Sequence, residues 1–134
     1  MKRILLAYDG NEVDDRALET TVELAKAFDA TVSVVSVIEL VPARAGGAMP
    51  WDVERHTADL NAAVNKLREH GIAADDAMLP RGNPKRVIEA IAERGHFDTV
   101  VVGHRALSPI KRLLDASVAS HVATHTASDV VIVH

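Results

Sequence analysis

The chain has 134 residues, 48% of them hydrophobic and 25% charged, which is the size and balance of one globular domain. We therefore expect a single domain over residues 1–134. Lys and Arg number 15 against 19 Asp and Glu, and aromatic residues make up 3%. No nucleic-acid partner is expected, because both bulk positive charge and base-stacking surface are lacking. The absence of cysteine excludes disulfides, thiolate metal sites and cysteine nucleophiles.

The apolar segments are short. Asp9 ends the first of them, well before the length that a signal peptide needs. Charged residues interrupt every later segment before it reaches the ~20 apolar residues of a membrane-spanning helix. We therefore expect a cytoplasmic protein with no membrane partner.

Five apolar runs rich in β-branched residues alternate with longer segments of helical period, which is typical of βαβ units around a parallel sheet. The second and fourth runs are almost continuously apolar, as expected for central strands with helices on both faces. The predicted strands are Arg3 to Tyr8, Thr31 to Ile38, Ala73 to Leu79, Thr99 to Gly103 and Val130 to Val133.

Four helices are predicted between these strands, each with one apolar face. The stripe of the first helix consists of Ala17, Leu18, Thr21, Val22, Ala25 and Phe28, after Asp14 or Asp15 in its N-terminal turn. The others run from about Asp52 to His70, from Pro84 to Gly95, and from Ser108 or Lys111 to His125. The Pro- and Gly-containing segment Glu39 to Trp51 shows no period and is predicted as a loop.

In a doubly wound sheet the ligand crevice lies beyond the carboxyl ends of the strands. Two such ends carry suitable residues. Asp9 follows the first strand, where its carboxylate suits an amine or sugar hydroxyl, or else caps the next helix. The small-residue, basic loop from Gly103 to Ser117 is suited to present N–H groups to phosphate, or else is a solvated loop. Neither the dinucleotide glycine pattern nor the phosphate-loop motif is present.

Other polar residues have plainer interpretations. His121 and His125 lie one helical turn apart without a third metal ligand, so we expect structural or solvent-facing roles. His104 has no recognisable nucleophile or carboxylate partner. The charged segments Asp52 to Arg55 and Lys66 to His70 are interpreted as solvated helix faces. The sequence predicts no catalytic residue and no metal site.

Three blocks of sequence, in order, resemble the universal stress protein family. The first is Ile4-Leu5-Leu6-Ala7-Tyr8-Asp9-Gly10 with Ala17-Leu18. The second, Gly82-x-Pro84-x3-Ile88-x3-Ala92, continues into Phe97-Asp98-x2-Val101-Val102-Gly103. The third is Ala116-Ser117-Val118 with Val122, His125 and Val130 to Val133. The resemblance implies a three-layer, doubly wound, Rossmann-like α/β domain, in which the five-stranded parallel sheet has the order 3-2-1-4-5 of the adenine nucleotide α-hydrolase-like proteins.

The family's nucleotide motif, G-x2-G-x9-G-S/T, falls on Gly103, Ala106, Ala116 and Ser117, so alanine replaces two of three glycines. Glycine permits close backbone approach to phosphate, and a Cβ costs on the order of 1 kcal/mol or blocks that approach. Members that bind ATP keep these glycines. Asp9 and Val37 match positions that hold adenosine in those members. The residues implied for a nucleotide site are Asp9, Val37, Gly103, Arg105, Ala106, Ala116, Ser117 and Val118.

The resemblance implies a stress-response module that is non-enzymatic or hydrolyses nucleotide weakly, with ATP or AMP as ligand and Mg²⁺ only with ATP. Two alternatives stay open. One is an interaction module without a nucleotide, which the two alanines favour, and the other is an enzyme related to the adenosine-nucleotide hydrolases. The family order puts Val130 to Val133 at a sheet edge with no Lys, Pro or Gly to interrupt it. Because relatives commonly dimerise through this strand, we expect a symmetric antiparallel homodimer.

Overall fold

The computed structural model describes residues 2–9, 12–38, 50–103 and 127–134. Within them, strands and helices alternate before a final strand. The elements are β1 (Arg3–Ala7), α1 (Glu12–Phe28), β2 (Thr31–Val35), α2 (Pro50–Glu69), β3 (Ala74–Met78), α3 (Pro84–Arg94), β4 (Thr99–Gly103) and β5 (Asp129–Val133). The predicted fourth helix, Ser108 or Lys111 to His125, lies outside the described residues, as do residues 39–49 of the predicted loop. The helical state of Pro50 and Trp51 corrects that loop's end and the predicted start of α2 at Asp52.

The strands form one parallel sheet in the order β3-β2-β1-β4-β5, which confirms the order implied by the resemblance. β1 lies at its centre, with Leu5 beside Ser33 of β2 and Val100 of β4. The chain moves to one side of β1 through β2 and β3, then returns to the other side for β4 and β5. The strand order therefore reverses between β1 and β4, where such sheets bind ligands.

Side chains alternate between the two faces of the sheet and build a core on each. On one face, Ile4 and Leu6 pack in a buried cluster with residues of α1 and α2, including Leu18 and Leu67. On the other face, Leu5 packs in a cluster with residues of α3 and β4. The described residues therefore form three layers, with α1 and α2 on one side of the sheet and α3 on the other.

Several strands are shorter than predicted. β2 ends at Val35 rather than Ile38, although Ser36 N–H still donates to the Met78 carbonyl and Ile38 N–H to that of Pro80. Pro80 has no N–H to return, so the regular ladder stops and only an isolated bridge joins Ile38 to Arg81. β1 and β3 end one residue before the predicted limits, β3 begins one residue later, and β5 begins one residue earlier.

The prediction that Phe28 belongs to the core stripe of α1 is wrong, since Phe28 is 53% exposed. Ala17, Leu18, Thr21, Val22 and Ala25 are buried as predicted. α1 ends at Phe28, Asp29 adopts a left-handed φ of 52°, and Ala30 N–H donates to the Ala25 carbonyl. This turn carries the chain into β2 and leaves the last residue of the helix in solvent.

Candidate functional site

The carboxyl edge of the sheet brings together residues that follow β1 and β2. Tyr8 N–H donates to the Val35 carbonyl at 2.9 Å, so the two strand ends stay joined as the chain leaves the sheet. Asp9 follows Tyr8, and Val37 lies two residues after Val35. Gly103 ends β4, the other neighbour of β1. The structure thus puts these three predicted site residues at one edge. Arg105, Ala106, Ala116, Ser117 and Val118 lie outside the described residues.

Four polar side chains meet at this edge, and we call Asp9, Ser36, Arg55 and His56 the Asp9 cluster. Asp9 Oδ1 lies 3.4 Å from His56 Nδ1 and 3.9 Å from an Arg55 guanidinium nitrogen. Ser36 Oγ lies 2.7 Å from the same His56 Nδ1. The side chain of Asp9 is 28% exposed and that of His56 only 8%. A buried imidazole therefore supports a carboxylate that solvent can reach.

The contacts of His56 favour one tautomer of its ring. Arg55 Nη2 lies 3.1 Å from His56 Nε2, and a guanidinium group can only donate. The tautomer that satisfies this contact accepts at Nε2 and carries its proton on Nδ1. His56 Nδ1–H then donates to Ser36 Oγ and faces Asp9 Oδ1.

This arrangement of Ser, His and Asp differs from a catalytic triad. In a triad the serine contacts one ring nitrogen and the aspartate orients the ring through the other. Here Ser36 and Asp9 both face Nδ1, so the imidazole cannot accept the hydroxyl proton on one side while the carboxylate stabilises the other. Ser36 is also only 1% exposed, out of reach of a substrate. The Asp9 cluster is arranged to hold a carboxylate rather than to activate a nucleophile.

A second hydrogen bond fixes the chain just before Asp9. Tyr8 is buried, and its hydroxyl donates to Asp15 Oδ1 at 2.6 Å. The carboxyl end of β1 is therefore attached to α1 by Tyr8 and to α2 by the Asp9 cluster. Both helices pack on the same face of the sheet, so two contacts hold the chain near Asp9 to that face.

Sequence reasoning missed the part that α2 plays. Arg55, in the segment predicted as a solvated face, is half exposed, and it also contacts Asp9 and His56, which the sequence analysis did not predict. His56 occupies the core face of α2, one turn before Leu60, which is buried. Val53, His56, Leu60, Ala63 and Leu67 follow the helical period. The signal that could have indicated this buried polar contact is a histidine within an otherwise apolar stripe.

The described residues also contain a surface cavity of about 500 Å³ at the opposite edge, beside the starts of β4 and β5. Its polar lining includes the carboxylates of Glu93, Asp98 and Asp129. Asp98 already accepts two backbone N–H groups, and Ser128 Oγ donates to the Phe97 carbonyl. A lining with three acidic residues repels the negative charge of a phosphate and does not suit it.

Metal and membrane features were searched over the same described ranges. No group of three or more His, Asp or Glu side chains there is placed to hold a metal ion. None of the helices in those ranges has the length and apolar character to cross a membrane.

Comparisons with known proteins agree with this fold. The model of the universal stress protein family matches residues 1–134. A Staphylococcus aureus protein that carries the universal stress protein name is 27% identical over 138 residues, covering 98% of this chain and 83% of the relative.

Solved structures extend the comparison. A universal stress protein from Archaeoglobus fulgidus in complex with dAMP superposes with a TM-score of 0.77 at 24% identity, covering 100% of this chain and 98% of that one. An Arabidopsis thaliana protein of the family with AMP bound gives a TM-score of 0.72 at 21% identity, over 99% of this chain and 91% of that one. At these identities the likeness establishes the fold.

Proposed function

The chain belongs to the universal stress protein family, and from that premise we propose that it is a non-enzymatic stress-response module that binds an adenine nucleotide at the carboxyl edge of its sheet. The observation that carries the proposal is the position of Asp9. Its carboxylate is 28% exposed, follows the central strand, and lies where the strand order reverses. An acceptor at that point suits the hydroxyl or amino donors of a nucleoside.

The proposed nucleotide contacts come from three segments. Asp9 and Val37 hold the adenosine part, and Gly103, Arg105, Ala106, Ala116, Ser117 and Val118 receive the phosphates. AMP and ATP are the ligands proposed, with Mg²⁺ accompanying ATP alone. Two solved relatives of the same fold carry dAMP and AMP, which supports an adenine nucleotide as the ligand class.

A second candidate function is a protein-interaction module that binds no nucleotide. The observation that favours it is the alanine at positions 106 and 116, where the family motif has glycine. Glycine in that motif allows a phosphate to approach the backbone closely, and a Cβ there costs on the order of 1 kcal/mol or blocks the approach. AMP has a single phosphate, so it is less affected by this crowding than ATP.

An enzymatic function has less support. Among the described residues, the one Ser, His and Asp arrangement at the carboxyl edge has both oxygens on the same imidazole nitrogen, and its serine is buried. We therefore propose no catalytic residue, and expect any ATP hydrolysis to be slow.

Calorimetric titration with AMP, and with ATP with and without Mg²⁺, tests the proposal. We expect AMP to bind and the double variant Ala106→Gly with Ala116→Gly to bind ATP more tightly than the unmodified chain, because the second and third glycines of the motif are restored. No heat with any of these nucleotides at millimolar concentration would favour the interaction module. Unchanged ATP affinity in the double variant would contradict the glycine argument.

We propose also that the protein is cytoplasmic, forms a single domain, and assembles as a homodimer through β5. In the described sheet β5 pairs with β4 on one side and ends the strand order. Ile132 is 41% exposed, whereas Val131 and Val133 pack partly against the core on the α1 face. Ile132→Lys is therefore the variant that adds charge at this edge with least damage to the core.

Sedimentation of the unmodified chain and of Ile132→Lys tests this assembly. We expect a dimer for the former and a monomer for the latter. A monomer for the unmodified chain at micromolar concentration would rule out edge pairing. That result would leave the nucleotide proposal intact, because Asp9 lies on the same chain as the rest of the proposed site.

A further inference from the structure

His56 is a buried polar residue on the core face of α2, with 6% of its surface exposed. Burying an imidazole costs free energy unless its nitrogens find partners. Here both nitrogens have them, Nδ1 with Ser36 and Nε2 with Arg55. A leucine at position 56 would continue the apolar stripe without needing hydrogen-bond partners. We therefore looked for a role of the imidazole other than packing.

The direction of these contacts gives His56 a specific orientation. Arg55 donates to Nε2, so the ring proton lies on Nδ1, and Nδ1–H points toward Ser36 Oγ at 2.7 Å and Asp9 Oδ1 at 3.4 Å. Ser36 follows β2, and Asp9 follows β1. A single imidazole thus spans the two strand ends that flank the proposed adenosine site.

We propose that His56 is the positioning residue for Asp9, and that Arg55 acts with it by fixing the imidazole tautomer. This inference rests on the proposed function, because its purpose is to present the Asp9 carboxylate to a nucleoside. A carboxylate held before the ligand arrives loses less side-chain freedom on binding.

Two amide variants separate positioning from packing. In His56→Asn the amide nitrogen takes approximately the place of Nδ1, so the donor toward Ser36 and Asp9 is kept and the Arg55 contact is lost. In His56→Gln the longer amide reaches the place of Nε2, so the Arg55 contact is kept and the donor toward Asp9 is lost. Both variants bury a neutral amide, and each is the control for the other.

Calorimetric titration with AMP is the measurement. We expect His56→Gln to bind AMP about fivefold more weakly than the unmodified chain, because the donor that faces Asp9 is lost, and His56→Asn to stay within about twofold. If His56→Asn and His56→Gln have equal melting temperatures and bind AMP equally weakly, the proposal is overturned, because a purely structural role does not distinguish the two amides. Weaker binding by His56→Asn than by His56→Gln would overturn it as well.

A measurement without nucleotide tests the role of His56 independently of whether the protein binds AMP. Long-range ¹H–¹⁵N correlation of the imidazole in the unmodified chain should show a protonated Nδ1 and an unprotonated Nε2. The opposite tautomer would overturn the positioning role, whether or not the amide variants fold. If the unmodified chain binds no AMP, the proposed function fails, and the tautomer alone then decides whether His56 holds Asp9.

Discussion

The two edges of the sheet each carry an aspartate beside β1, and the two carboxylates are held by different kinds of donor. At the amino edge, Asp98 Oδ2 accepts the backbone N–H groups of Lys2 and Arg3, both at 2.8 Å. At the carboxyl edge, Asp9 contacts the side chains of His56 and Arg55. The backbone donors join the start of β1 to the residue before β4, whereas the side-chain donors join Asp9 to α2.

Further contacts make the amino edge a structural joint. The Arg3 guanidinium lies 4.8 Å from the centre of the Phe97 ring, and Ser128 Oγ donates to the Phe97 carbonyl at 2.6 Å. Asp129 N–H donates to the Asp98 carbonyl. These bonds tie the starts of β1, β4 and β5 together. The amino edge therefore contributes to stability, and the carboxyl edge is where we propose that the nucleotide binds.

The largest effect on stability is expected from a substitution of Gly95, which lies close to Phe97 at the amino edge. A Cβ on Gly95 would overlap the Phe97 ring and lie 3.0 Å from the Ile91 carbonyl oxygen. Gly95→Ala should therefore lower the free energy of unfolding by about 1–3 kcal/mol, the range for overpacking. Chemical denaturation measures it.

Gly71→Ala is the matched control for that variant. Gly71 has a φ of 75°, but nothing lies within 4 Å of the added Cβ. Its cost should be about 1 kcal/mol, from backbone conformation alone. A Gly95→Ala variant as stable as the unmodified chain would show that the Phe97 ring moves aside at no cost. The packing at the amino edge would then be less tight than the contacts indicate.

The next largest effect separates the two aspartates by function. Asp9→Ala should weaken AMP binding by about tenfold or more, since a hydrogen bond to a charged group is lost, and should leave a folded protein. Asp98→Ala should lower the melting temperature and leave AMP affinity unchanged. Calorimetry and thermal melts on both variants measure the contrast. Unfolded Asp9→Ala would assign Asp9 a structural role, and AMP binding lost in Asp98→Ala would contradict the division between edges.

Acid sensitivity should also distinguish the amino edge. The backbone N–H groups of Lys2 and then Arg3 lower the pKa of Asp98 from its ordinary value of 3.8. A carboxyl whose pKa is lower in the folded state stabilises the protein above the ordinary pKa, and this contribution disappears as the pH falls through the lowered value. The unmodified chain should therefore be more stable than Asp98→Asn at neutral pH.

The stability difference between those two chains should narrow as the pH falls below 3.8, because a protonated Asp98 resembles asparagine. Urea denaturation across that range measures it. A constant difference at all pH values would mean that shape rather than charge matters at Asp98.

The smallest effect is expected at Phe28. Phe28→Gln should change the free energy of unfolding by no more than about 0.5 kcal/mol, as for most surface substitutions. Val22→Ala, on the buried face of the same helix, is the comparison and should cost more, because it removes buried methyl groups. A large loss of stability in Phe28→Gln would indicate that the ring is covered in solution.

How much of this was predictable differs between fold and site. Runs of β-branched residues located the strands to within three residues, because a strand buried on both faces needs a nearly continuous apolar segment. The strand order came from the resemblance to the family, since apolar period alone does not specify which strands are neighbours. Phe28 was misassigned because helical period does not show that α1 ends at this residue, where the turn at Asp29 leaves the ring in solvent.

The candidate site was only partly predictable. Asp9 was proposed as a site residue because it follows an apolar run, a position that the sequence shows directly. Its support from His56 was missed, because the contact joins α2 to β1 across a long stretch of chain. The bond from Lys2 to Asp98 spans 96 residues, and no local pattern indicates such a pairing. Sequence therefore identifies a strand-end carboxylate more readily than the donors that hold it.

The most direct test of the division between the edges is amide chemical-shift mapping of the unmodified chain during addition of AMP. We expect progressive chemical-shift changes in the amides of Asp9, Ser36 and Val37, which follow β1 and β2. The amide shifts of Asp98 and Ser128 should not change. Shifts confined to the amino edge, or no shifts at millimolar AMP, would contradict this division.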